Sequence, residues 1–144
     1  MKIIFCYKFE KNIIKKILVV LGMFISTLSF SQIENATYSS RYVTFYEYNT
    51  YLNKFEKTNN AWMDALMLCE RNYYVFKVED REASDRIYWE YDEENEYGND
   101  VYFTKDNRKI IFDYENQTIT FFSDYNSYEG TYIKCMILSK ISKE

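Results

Sequence analysis

The chain reads as mainly β, α+β only by one helix: an antiparallel meander forming a curved sheet or small barrel of about seven strands, with a buried helix near residues 60–71. Three observations predict this. After position 31 the chain holds 15 Tyr, 7 Phe and 2 Trp in 113 residues and no Pro, a composition that fills pleated, half-buried surfaces. Strand-length runs of these residues repeat along the second half. Asx-containing pairs interrupt those runs as hairpin turns would.

The chain opens with a different pattern. Lys8, Lys11, Lys15 and Lys16 precede an uncharged, mostly apolar run at 17–30, and Ser29 and Ser31 stand three and one residues before the next position. That order is the signature of a secretory signal peptide. The run is 14 residues long, short of the roughly 20 a spanning helix needs. Cleavage is expected between Ser31 and Gln32, leaving one exported domain at 32–144. The Phe30-Ser31-Gln32 junction resembles signal-peptide ends of exported proteins in Gram-negative bacteria with AT-rich codons, which implies the periplasm or the cell exterior. AT-rich codons also supply Tyr, Phe, Asn and Lys freely, so tyrosine content alone is no binding signature.

Elements follow in order. Residues 38–48 read as a strand, and 50–58 as a polar loop or short helix with Tyr51, Leu52 and Phe55 at helical spacing. For 60–71, Asn60 caps the start, Arg71 lies in the last turn and Asn72 suits a left-handed exit. Apolar residues nearly encircle that segment and make Trp62 a core anchor; a buried strand over part of it stays open. Runs at 73–78, 86–91, 100–104, 109–114, 118–123 and 128–138 read as strands. Their period-two faces are Ile87, Trp89, Tyr91; Val101, Phe103; Ile110, Phe112, Tyr114; and Ile119, Phe121. Trp89 belongs to the core on this reading. Asp106-Asn107 and Glu115-Asn116 mark turns, with Asn taking the positive-φ positions.

Charge narrows the partners. The 113 residues carry 13 basic and 21 acidic side chains, net −8, and segment 79–100 alone holds ten carboxylates against Arg81 and Arg86. Phosphate backbones and anionic membranes repel such a chain, so no nucleic acid is expected and no membrane after signal cleavage. A basic exported protein or a small ligand remains. No His occurs, only three Gly are present, and no nucleophile-elbow or phosphate-loop motif can be found. A non-enzymatic binding or interaction domain without a cofactor is the leading expectation.

Candidate sites are few. Asp92, Glu94, Glu96 and Asp100 could gather around a weakly held calcium ion, but Gly98 falls one place late for an EF-hand; a solvated hairpin loop is the leading explanation. Tyr88, Glu90, Asp92, Glu93 and Tyr97 form a carboxylate-and-aromatic patch suited to a basic partner. Cys69 and Cys135 could pair, closing a loop of about 65 residues, or stay as buried thiols. If the sheet closes, the Ile87/Trp89/Tyr91 face could instead line a cavity for a small apolar or sugar ligand, as in lipocalin-like barrels. A carboxylate-based hydrolase is the last alternative.

Overall fold

The computed structural model describes Ile33 and residues 35–144. The signal segment 1–31 and the Ser31–Gln32 junction lie outside the described residues. Nine strands follow one another: β1 (Ala36–Asn49), β2 (Lys54–Cys69), β3 (Tyr73–Val78), β4 (Ile87–Glu94), β5 (Asp100–Thr104), β6 (Lys109–Asp113), β7 (Thr118–Asn126), β8 (Thr131–Ser139) and β9 (Ser142–Lys143). Each of the first eight pairs antiparallel with its neighbours in sequence, and β8 returns to pair with β1. The sheet therefore closes into an eight-stranded up-and-down barrel, which leaves no open edge among those strands. Beyond β8, Lys140 adopts φ 54° and Ile141 donates its N–H to the Gln117 carbonyl at 3.0 Å. The chain then rejoins β1 as β9 at Ser39↔Ser142.

The meander, and the strands at 73–78 and 100–104, stand as read from the sequence. The helix at 60–71 does not form, and no helix occurs among the described residues. That segment is the second half of β2. Ala65, Met67 and Cys69 turn inward, while Leu66 and Leu68 between them face outward and stay partly exposed. Met67 lies between Tyr38 of β1 and Phe76 of β3. Strands on both sides thus satisfy the backbone of this stretch, and that outweighs helix preferences of tenths of a kcal/mol per residue for Ala, Leu and Met. Trp62 accordingly leaves the core: it is 71% exposed and packs edge-on against Tyr42. Residues 50–53 are the β1–β2 turn, and Phe55 already belongs to β2.

Turn chemistry follows the expectation in part. Asn53 and Asn107 take positive φ, but at the β6–β7 turn Gln117 does so rather than Asn116. Asn116 instead donates its backbone N–H to Asp113 Oδ1 at 2.9 Å, an Asx-type turn.

The interior is aromatic. Trp89 is 2% exposed, as expected of a core residue. It stacks on Tyr102 with centroids 4.4 Å apart and meets Phe112 edge-on. Met67, Ile110, Phe112, Ile119 and Leu138 complete the packing. Trp89 Nε1 donates to the Glu70 carbonyl at 3.0 Å, so its polar edge is satisfied where its ring is buried. On β5 Asp100, Tyr102 and Thr104 pair with the inward residues Phe112, Ile110 and Trp89, whereas Val101, although 2% exposed, and Phe103 alternate with them; an inward acid at a strand start was not legible as core.

A candidate ligand cavity at one end of the barrel

Up-and-down topology places the β1–β2, β3–β4, β5–β6 and β7–β8 connections at one end of the barrel. Side chains do not fill the interior there. A cavity of about 370 Å³ remains, in the lower part of the range for small-molecule sites. Phe45, Phe76, Ile87, Phe121 and Met136 line it with Tyr74. These come from β1, β3, β4, β7 and β8, so only the closed sheet brings them together. Phe121 lies 5.8 Å from Phe76 and 6.1 Å from Tyr74, centroid to centroid. Tyr74 also meets Trp89 at 5.0 Å, which makes it the boundary between cavity and packed core.

The wall is thinnest between β3 and β4, which pair at only two positions, Tyr73↔Tyr88 and Tyr74↔Ile87. The connector at 79–86 folds back to cover the gap. Ser84 donates its N–H to the Phe76 carbonyl at 2.8 Å, and its Oγ accepts from the Phe76 N–H at 2.9 Å. One serine thus replaces a pair of ladder hydrogen bonds, and it also lines the cavity.

Charged lining residues are Glu47, Arg108 and Lys134. Arg108 Nε contacts Asp106 Oδ2 at 2.8 Å, and Thr104 Oγ1 donates to Asp106 Oδ1 at 2.5 Å. The Thr104 bond first, and Arg108 after it, hold the Asp106 carboxyl below its ordinary range. The Arg108 charge near Tyr74 lowers the pKa of its hydroxyl; burial nevertheless dominates there and pushes Tyr74 up to about 12. Lys134 Nζ lies 2.7 Å from Asp124 Oδ2, and Asp124, with Glu47 further off, raises its pKa.

The residues singled out in the sequence are distributed elsewhere. Tyr88 and Glu90 point outward on β4, Asp92 and Glu93 sit at an irregularity in the β4–β5 ladder, and Tyr97 is 76% exposed at the hairpin tip. All five are exposed along β4 and the hairpin that follows it. The calcium set does not converge: Asp92, Glu94 and Glu96 are solvent-exposed, Asp100 is buried, and among the described residues no three acidic, Cys or His side chains come together as metal ligands. Asp100 accepts from the Tyr114 hydroxyl at 2.8 Å. Burial raises its pKa, the Tyr114 bond opposes that rise, and Glu94 adds to it. Tyr114 is 42% exposed overall, yet its hydroxyl end is desolvated and faces the carboxylate, which drives its pKa far above the ordinary tyrosine range. Near this cluster, at the end opposite the cavity, Tyr102 accepts the Ile33 N–H at 2.9 Å.

The disulfide is also corrected. Cys69 and Cys135 are free and buried. Cys69 pairs with Ala36, and Cys135 with Tyr46; ten residues along β1 separate the two by roughly 30 Å at about 3.3 Å per residue. A bridge needs Cα atoms within about 7 Å. Burial raises both thiols, Cys69 to about 12 with Glu70 contributing, and Cys135 to about 11.

Sequence reasoning missed Phe45, Phe76, Met136, Arg108 and Lys134 as a group. Phe121, on its period-two face with Ile119, and Ile87 were the two legible wall residues. Fold and site define a class, a closed eight-stranded antiparallel barrel with an apolar cavity at one end. No protein-family model, curated protein or solved structure matches the chain.

Proposed function

We propose that this protein is a non-enzymatic carrier or sensor that binds a small, largely apolar molecule inside the barrel, acting in the periplasm or outside the cell. The observation that carries the reading is the cavity of about 370 Å³ walled by Phe45, Phe76, Phe121 and Met136. An eight-stranded barrel is just wide enough either to pack solid or to hold one small ligand. Here the Trp89 half packs and the Phe121 half stays open. Calorimetric titration with decanol tests it. Saturable, one-to-one binding is expected, with at least tenfold loss in Met136→Trp, whose larger side chain occupies the space. No binding by a folded wild-type protein would reject the reading.

A second reading, recognition of a basic exported protein, draws on the outer surface where Tyr88, Glu90, Asp92, Glu93 and Tyr97 are exposed together. Steeply salt-sensitive association with such a partner, abolished by reversing the charges of Glu90 and Glu93, is its expected behaviour.

A further inference from the structure

The charges at the cavity differ from those of the rest of the protein. The chain after position 31 is net −8, yet the cavity lining holds two cations, Arg108 and Lys134, and one carboxylate, Glu47. The acids that pair with these cations, Asp106 and Asp124, are not part of the lining. Lys134 is paired with Asp124 at 2.7 Å and faces Glu47 across the β1–β8 ladder, so it is already countered. Arg108 meets one carboxylate, Asp106, on its Nε side, and is the lining cation with donors left for a negative group.

Arg108 is also held in place. Its backbone N–H donates to Thr104 Oγ1 at 3.0 Å, and its carbonyl accepts from the Thr104 N–H at 3.0 Å. Asp106 occupies the Nε side of the guanidinium at 2.8 Å, and Arg108 lines the cavity together with Tyr74. A guanidinium carries five N–H donors in a rigid fork; the Asp106 contact at Nε leaves capacity for a planar, bidentate acceptor, and a carboxylate is the matching shape. Little side-chain freedom is then lost on binding.

Resting on the interior-binding reading above, we propose that the cavity takes a single-chain monocarboxylate amphiphile, its head group on Arg108 and its apolar body against Phe76, Phe121 and Met136. At roughly 30 Å³ per non-hydrogen atom, the space a liquid water molecule occupies, the cavity holds about a dozen such atoms. A saturated ten-carbon acid is of that size.

The test is calorimetric titration of the full chain with decanoate, decanol and decyltrimethylammonium below their micellar concentrations. Decanoate is expected to bind at least tenfold more tightly than decanol, and the cationic amphiphile more weakly than either. Arg108→Met should bring decanoate down to the level of decanol. Lys140→Met serves as the charge control, because Lys140 lies over Trp62 on the outer surface, 5.6 Å from the ring centroid; both affinities should hold. Equal binding of decanoate and decanol by the wild type, or a decanoate preference that survives Arg108→Met, overturns the head-group assignment and leaves interior binding standing. Failure of all three probes to bind overturns both.

Discussion

Asp100 is 2% exposed, opens β5, and faces a barrel interior in which aromatic rings dominate. Its carboxylate accepts a hydrogen bond from the Tyr114 hydroxyl. Burial penalises the ionised carboxyl, so the folded-state pKa lies above the ordinary 3.8. The native protein then holds this proton more tightly than the unfolded chain does. Asp100 consequently makes stability fall as pH rises from about 3.8 through the raised folded value, and the deficit persists above it. Asp100→Asn keeps an acceptor for Tyr114 and removes the charge. Urea unfolding of both proteins between pH 3.5 and 7 should show the wild type losing stability relative to the variant as pH rises; a relative gain would refute this account. The two tryptophans make a related point. Trp89 and Trp62 both read as core residues from the sequence, but Trp89 is the one with ring partners on several strands.

At the scale of elements, β2 and the β3–β4 seam decide the most. β2 is apolar on both faces through its second half, so its pattern fits helix and strand alike. What distinguishes them is pairing on two sides, by β1 and β3, and neither pairing can be read from a local window. The seam is the weak line of the barrel, with two ladder positions and Ser84 bridging the rest. Ser84→Ala removes the acceptor of the Phe76 N–H and should lower stability by about 1–3 kcal/mol. Amide exchange at Phe76 should accelerate, with little change at Phe112. Uniform acceleration through the barrel would mean that the seam does not open independently.

For the molecule as a whole, closure creates both the core and the cavity. The Phe45, Phe76 and Phe121 wall exists only when β8 pairs with β1, so a molecule bound there stabilises the closed state and has no site on the unfolded chain. At one hundred times its dissociation constant such a ligand adds about 2.7 kcal/mol. Decanol should therefore raise the thermal midpoint of the wild type by several degrees and leave that of Met136→Trp unchanged. A shift of equal size in both proteins would place the binding elsewhere.

The second half of the fold was legible because its residues carry their own signals. Alternation placed Ile87, Trp89 and Tyr91 on one face, and Asp106-Asn107 marked a turn that Asn107 makes with φ 61°. The same holds for the distribution of charge, since segment 79–100 is acidic whatever the fold. Of the candidate site, only Ile87 and Phe121 could be anticipated as inward residues. Arg108 and Lys134 look like ordinary surface cations, and Cys69 and Cys135 look like a plausible pair until β1 sets them roughly 30 Å apart at about 3.3 Å per residue. The amino-acid order alone determined alternation, turn chemistry and charge, which are properties of neighbours along the chain. Tertiary structure decided the identity of β2, the closure of the barrel, the inward turn of Asp100 and the cavity, because each depends on hydrogen bonds or packing between residues far apart in sequence.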